Sequence, residues 1–503
     1  MTNEGNKSRE TFGSRLGFIL VSAGCAIGIG NVWKFPYLCG QNGGAAFILI
    51  YLLFLVLLGI PVMVCEFAIG RGSRRSAALA MEALEPAGTK WHWLKYISIA
   101  GNYMLMMYYT VVAGWMLNYC WKHIRGEFTG VSPEFIANDF GGMLGDFSQL
   151  AFWTVAVCLL GFIVCFFGIQ KGVERITKYM MIALLLLMIV LAAHSLFLKG
   201  AGEGISFYLV PNFKDMAKRG IGNVIFAAMS QAFFTLSIGI GSMLIFGSYI
   251  GKDRSLTGEA VTVTVLDTFV ALMAGFIIIP ACFAYNIEPD AGPSLIFITI
   301  PNLFTQMPGG RIWGALFFVF HSFAAMSTVV AVFENIVAFD MDLFGWGRKK
   351  SVLISAVLII ALSMPCVLGY NIWSGFAPLG EGSAVLDLED FIVSNNLLPL
   401  GSLAFVLFCT RRNGWDWDGF IAEADAGKGL KFPHFLKGYI TYGLPLIIIL
   451  IYLKGYWDMF SPMGTAKLAC WMAAACVFLA FVFFCAVLAG GKKKERTANQ
   501  AAS

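Results

Sequence analysis

The sequence is poor in charge. Asp, Glu, Lys and Arg together make up 13% of its 503 residues, where soluble globular chains carry about 25%. Hydrophobic residues reach 58% and aromatics 15%. So little charge cannot cover a water-facing surface of this size, which excludes a soluble multidomain enzyme although the length alone would suit one. The net charge of +5 is small and scattered, leaving no footprint for nucleic acid. The 12 cysteines include no CxxC, and most (Cys158, Cys165, Cys470, Cys476, Cys485) sit in apolar runs. No disulfide framework is legible, and the redox compartment stays open. The five histidines, His92, His123, His194, His321 and His434, are far apart and lack metal-ligand spacing. Nucleotide loops are missing too. Gly247 to Lys252 is one residue short of a phosphate loop and leads into Asp253, and Gly28-x-Gly30 lacks the strand–turn–helix setting of a dinucleotide site. No Ser-His-Asp or Cys-His arrangement is readable, so the chain reads as no enzyme.

What is present is apolar length. A bilayer crossing needs about 20 mostly apolar residues. Twelve such stretches lie near 14–36, 43–70, 94–121, 149–169, 177–198, 222–248, 258–285, 312–339, 351–369, 386–410, 436–454 and 466–489. The fold class is therefore an all-α membrane protein of twelve transmembrane helices. Basic clusters mark every second connection: Lys7, Arg9 and Arg15 before the first span, then Arg71, Arg74 and Arg75; Lys171, Arg175 and Lys178; Lys252 and Arg254; Arg348, Lys349 and Lys350; Arg411 and Arg412; and Lys492, Lys493 and Lys494. Positive residues at span ends face the cytoplasm. Both termini are thus predicted inside, in a plasma or bacterial inner membrane. The connection 199–219 runs against this pattern with Lys214, Lys218 and Arg219. An uncleaved first helix is expected, although Ala23-Gly24-Cys25 imitates a signal cleavage site.

Spans one and six share a string. Ile27-Gly28-Ile29-Gly30 and Ile238-Gly239-Ile240-Gly241 each sit mid-span, five spans apart. Paired Gly-interrupted spans in corresponding positions point to a transporter site, and the odd offset makes the two units inverted. The expected organisation is 1–198 for the N-terminal tail and first repeat, 199–412 for the second, 413–489 for spans eleven and twelve, and 490–503 for a basic cytoplasmic tail. Unwound backbone within a bilayer must line a cavity, because lipid satisfies neither N–H nor C=O. Half-helix N-termini favour a carboxylate, while freed carbonyls suit an amine or a bare cation. A zwitterionic amino acid with sodium is the natural occupant. Near the breaks lie Asn31, Gln231, Thr235, Ser237, Ser327 and Thr328, with two carboxylates, Glu66 and Asp267, inside spans. Ionisable groups in spans usually face a cavity or a polar partner. Asp267 is the functional candidate, while Glu66 is expected to hold the backbone amides of the broken helices.

The run from Ala23 to Tyr37, with Asn42-Gly43-Gly44, Gly59-Ile60-Pro61, Glu66, Gly70-Arg71 and Phe233-Phe234-Thr235-Leu236-Ser237, resembles the neurotransmitter:sodium symporters of leucine-transporter fold, in their prokaryotic amino-acid-transporting form. That fold is itself a standard example of inverted repeats. The resemblance implies two sodium sites. One would use the Ala26 carbonyl, Asn31, Thr235, Asp267 and the substrate carboxylate; the other the carbonyls of Gly24, Ile27 and Ala324 with the Ser327 and Thr328 hydroxyls. It places a substrate carboxylate at the Ile29 and Gly30 amides and the Tyr109 hydroxyl. The amine would meet the carbonyls of Ala26, Phe234 and Thr235 and the Ser237 hydroxyl. The side chain would pack among Leu105, Phe234, Ile240, Thr328 and Val332, which favours a hydrophobic or aromatic amino acid. Amine-transporting relatives carry a carboxylate where Gly28 stands, so an α-amino acid is expected over a monoamine.

The chain departs from the family pattern in three places. Asp267 replaces the usual Asn, and Ala271 stands where chloride-dependent members have Ser, although Tyr51 and Gln231 match other residues of that chloride site. A fixed carboxylate would supply the charge that chloride otherwise brings, so chloride is not expected as a partner. Lys34 replaces the usual Arg and would pair with Asp390 across the external mouth, above Tyr109 and Phe234, without a bidentate fork. In span five Gly172 is matched, but the expected Pro is Ile182, which puts unwinding there in doubt. The implied function is sodium-coupled amino-acid symport by alternating access. A non-transporting amino-acid receptor on the same fold, and proton coupling through Asp267, stay open as alternatives.

Overall fold

The computed structural model describes residues 10–285 and 293–488. Lys7, Arg9 and the expected basic tail lie outside them. Among the described residues no strand forms, helices are joined by turns and short irregular connections, and the one β-bridge, Arg254 with Lys428, is isolated. Helices predominate for the reason the composition gives: in a bilayer the backbone must satisfy itself within each segment.

Among the described residues nine helices are long and apolar enough to cross a membrane: Ala45–Ser73, Phe147–Phe166, Ile169–Leu196, Leu256–Ala284, Gly310–Phe344, Arg348–Leu368, Val385–Thr410, His434–Met463 and Thr465–Ala486. A tenth crossing is a bent pair, Arg15–Ala26 and Gly30–Gln41, set at 58°. The remaining two of the twelve are less apolar by local measure. Span three is one helix, Lys95–Arg125, diluted by Asn102, Tyr103, Tyr108, Tyr109 and Asn118. Those polar groups face protein, since Asn102, Tyr108, Tyr109 and Asn118 are all buried. Span six is divided into Ile221–Thr235 and Ser242–Ser248, each too short to cross alone.

Spans two and six approach backbone to backbone. A Cβ on Gly70 would lie 1.8 Å from the Leu244 carbonyl oxygen, and one on Gly247 would lie 2.5 Å from that of Phe67. Small residues allow such contact between membrane helices. Spans nine and twelve turn apolar side chains outward, with Leu353 and Val477 each 68% exposed, as a lipid-facing surface requires.

Span five is helical straight through Ile182, within Arg175–Leu196. A π-turn at Ile169–Glu174 precedes it, where Gly172 packs against Val164. Short helices also fill the connections, at Pro133–Gly145, Ala201–Leu209, Leu295–Gln306 and Trp417–Ala424. The basic residues of the 199–219 connection are locally engaged: Arg219 pairs with Asp215 at 3.1 Å and donates to the Gln41 carbonyl at 2.7 Å.

Candidate functional site

The two breaks meet at the centre. Ser237 Oγ donates to the Cys25 carbonyl at 3.2 Å, and Gln231 Nε2 to that of Gly30 at 3.2 Å. Span six unwinds through left-handed backbone at Ser237 (φ 49°), Gly239 (φ 102°) and Gly241 (φ 80°). Glycine adopts such angles freely, but Ser237 is strained there. The surroundings hold it. Glu66 accepts the Gly239 amide at 2.5 Å and the Leu244 amide at 3.3 Å, capping the second half-helix. Asn102 Nδ2 donates to the Ile240 carbonyl at 2.8 Å and is itself oriented by Asn335 at 2.8 Å.

Between the breaks lies a cavity of about 30 Å³ lined by Ala26, Gly28, Ile29, Gly30, Asn31, Leu105, Tyr109, Phe234, Thr235, Ser237, Ile240, Thr328 and Leu398. Every residue assigned to substrate from the sequence is here except Val332, which is fully buried one helical turn beyond Thr328 and outside the lining. Leu398 was missed. It comes from span ten, and an isolated Leu in an apolar run carries no signal of its position. The Ile29 amide donates to the Tyr109 hydroxyl at 3.0 Å, so a half-helix N-terminus and a phenol converge on one point. A Cβ at Gly28 would lie 2.5 Å from the Tyr109 hydroxyl oxygen and 2.9 Å from Thr328 Oγ1.

Two oxygen clusters flank this cavity. In the first, Asn31 Nδ2 donates to Asp267 Oδ1 at 2.8 Å, and Thr235 Oγ1 to Asp267 Oδ2 at 3.1 Å. All three side chains are buried. In the second, Thr328 Oγ1 lies 3.2, 3.4, 3.3 and 3.5 Å from the carbonyl oxygens of Gly24, Cys25, Ile27 and Ala324. Ser327 Oγ donates to the Ala324 carbonyl at 2.9 Å. A hydroxyl has one proton to share among those acceptors. Oxygen lone pairs thus outnumber protons at one buried point, which suits a hard cation. Among the described residues no group of three or more His, Cys, Asp or Glu side chains assembles, so the chemistry on offer is hydroxyl, amide, carbonyl and one carboxylate.

The remaining candidates are placed as follows. Ala271 is buried, and beside the first cluster the Tyr51 hydroxyl and Gln231 Oε1 are buried without hydrogen-bond partners. Lys34 Nζ sits 4.2 Å above the Phe234 ring, a cation–π contact. Asp390 Oδ1 accepts from Tyr108 at 2.9 Å and from Ser394 at 2.7 Å. Among the described residues no ion pair joins Lys34 to Asp390, so the expected mouth pair is not closed in this structure: each partner is engaged by its own neighbours.

The opposite, basic end is tied shut. Glu174 accepts the Gly13 amide at 2.7 Å and Ser14 Oγ at 2.8 Å, and Arg15 pairs with Glu259 at 2.9 Å. Arg348 pairs with the fully buried Glu334 at 2.7 Å and with Glu10 at 3.2 Å, while Tyr249 donates to Glu334 at 2.9 Å.

Residues 9–131 and 134–487 match the profile of the Sodium:neurotransmitter symporter family. The chain is 35% identical over 453 residues to the uncharacterised sodium-dependent transporter YhdH of Bacillus subtilis, covering 88% of this chain and 96% of that protein. An uncharacterised sodium-dependent transporter of Haemophilus influenzae is 30% identical over 465 residues, with 89% and 98% covered. Among solved structures, MhsT in complex with L-phenylalanine is similar at a TM-score of 0.79 and 37% identity, covering 89% of this chain and 100% of that one.

Proposed function

Because the chain belongs to the sodium:neurotransmitter symporter family, and is therefore a multi-pass sodium-dependent transporter and not an enzyme, we propose that it carries an α-amino acid with a hydrophobic or aromatic side chain into the cell. The observation that carries this reading is the convergence of the Ile29 amide and the Tyr109 hydroxyl beside two oxygen-rich clusters. A helix N-terminus with a phenol offers a carboxylate two donors and a favourable dipole. The carbonyls of Ala26, Phe234 and Thr235 and the Ser237 hydroxyl take the amine. Leu105, Ile240, Phe234 and Leu398 give the side chain an apolar wall. The cavity of about 30 Å³ holds little more than one water, so these walls move apart to admit substrate. The similar MhsT structure, solved with L-phenylalanine, supports an apolar amino acid.

Two sodium ions fit the two clusters. The first takes Asn31, Thr235, Asp267, the Ala26 carbonyl and the substrate carboxylate, which couples the ion to the substrate directly. The second takes the carbonyls of Gly24, Ile27 and Ala324 with the Ser327 and Thr328 hydroxyls, joining span one to span eight. The basic end is the cytoplasmic one by the distribution of Arg and Lys. With that end closed and the Lys34–Asp390 pair unmade, access would alternate by exchanging one closure for the other. Uptake into proteoliposomes tests the coupling: accumulation should vanish when choline replaces sodium, and persistence would reject the symport.

Transport should also be independent of chloride. Asp267 supplies a fixed negative charge beside the first cluster, and Ala271 offers no hydroxyl to an anion. Replacing chloride by gluconate should leave initial rates within about twofold, and collapse of uptake would refute this. Asp267→Asn combined with Ala271→Ser should make uptake require chloride.

A further inference from the structure

A second cavity, of about 190 Å³, lies at the end of the molecule opposite the basic face. It is bounded by the last turn of span three, the loop after it, the loop helix Leu295–Gln306 and the start of span eight. Its lining mixes apolar side chains (Phe128, Pro301, Phe304 and Met307) with polar ones (His123, Thr129, Thr305 and Arg311) and backbone at four glycines. A cavity of roughly 150 Å³ lined by apolar side chains admits a benzene ring, so this one holds a single-ring molecule.

Two polar side chains of this cavity have no role in the site described above. His123 is 2% exposed, and its Nε2 is buried with no hydrogen-bond partner among the described residues. Burying a polar atom unpaired costs free energy, so such an atom stands out in a native structure. Arg311 donates from Nη2 to the Ile124 carbonyl at 2.6 Å, yet among the described residues no carboxylate pairs with it. A partly aromatic cavity with an exposed guanidinium that no described carboxylate pairs matches an apolar body that carries one carboxylate.

The same loop helix also packs against spans one and three. Phe297 lies 6.4 Å from the Trp33 ring, 5.7 Å from Trp115 and 5.0 Å from Tyr119, and Trp33 is next to Lys34. A molecule seated behind the loop helix would bear on its contact with Trp33, next to Lys34 of the proposed external gate. We infer that the cavity bounded by His123, Phe304 and Arg311 is a second, regulatory binding site for a small apolar carboxylate.

The test uses the full chain in nanodiscs and 4-fluorophenylacetate as probe, followed by fluorine NMR. Saturable binding is expected, at least about tenfold tighter than for the neutral 4-fluorobenzyl alcohol, because charge-assisted hydrogen bonds are the stronger ones. Arg311→Gln should weaken it by about tenfold, and Met307→Trp should abolish it by filling the cavity. Gly28→Ala, in the central cavity, should leave it intact, which separates this site from the proposed transport site. Displacement of the probe by oleate supports a lipid-borne carboxylate, and displacement by free phenylacetate alone supports a solute. Absence of saturable binding, equal affinity for the alcohol, or loss of binding on Gly28→Ala overturns the inference. The acid-to-alcohol comparison needs no variant and stands even if Met307→Trp does not fold.

Discussion

At the scale of single residues, the site depends on one missing side chain. Gly28 sits where any Cβ meets the Tyr109 hydroxyl at 2.5 Å and Thr328 Oγ1 at 2.9 Å. Both oxygens belong to the proposed binding geometry, so Gly28→Ala should push apart the proposed carboxylate clamp and the second proposed cation cluster together. Overpacking of a dense interior costs about 1–3 kcal/mol. We expect sodium-dependent substrate affinity to fall at least about tenfold, with the thermal transition lowered by only a few degrees. Radioligand binding alongside thermal unfolding checks this, and wild-type affinity in Gly28→Ala would show that the clamp is not used. Residues that break the local rule were the ones legible in the sequence: a carboxylate in an apolar run must face something polar, so Glu66 and Asp267 stood out. Leu398 did not, and Val332, expected at the substrate, lies outside the cavity lining in this structure. Apolar side chains in apolar spans look alike, and whether one faces a cavity or the core depends on tertiary packing.

At the scale of elements, the broken span six is held by a few polar groups and a few backbone angles. Gly239 combines φ 102° with a close approach in which a Cβ would lie 2.1 Å from the Leu398 carbonyl oxygen. Gly239→Ala therefore incurs left-handed strain of about 1–2 kcal/mol and must also displace span ten. It disturbs the Glu66 cap as well, since that carboxylate holds the Gly239 amide. We expect Gly239→Ala to lose expression or to unfold at markedly lower temperature, whereas Gly28→Ala should keep the fold. Size-exclusion profiles and melting curves distinguish the two, and a Gly239→Ala protein with wild-type stability would refute this account of the break. The breaks were legible because the Ile-Gly-Ile-Gly string appears twice. The helices in the connections, such as Leu295–Gln306, were not. They are short, and tertiary packing rather than a long periodic pattern fixes them.

At the scale of the whole molecule, the two ends are held by different chemistry. The mouth opposite the basic end holds Lys34 over Phe234 and Asp390 on Tyr108, contacts that should separate with little loss. The basic end is bound by buried charge: Glu334 is fully buried, and Arg348 ties it to Glu10 of the N-terminal segment. Leaving a buried carboxylate without its cation costs about 3–5 kcal/mol. Arg348→Met does that to Glu334 while the Tyr249 hydroxyl alone remains on it. The balance should shift toward states in which the segment Glu10–Ser14 and the half-helix Arg15–Ala26 leave the bundle. Amide hydrogen exchange in residues 10–26 should then accelerate by at least about tenfold, and sodium-driven uptake should fall. Adding Glu334→Gln removes the unpaired charge, so Arg348→Met with Glu334→Gln should exchange more slowly than Arg348→Met alone. That order follows only if buried charge, and not the bulk of the arginine, keeps the basic end shut; equal exchange in the two variants would assign the closure to packing.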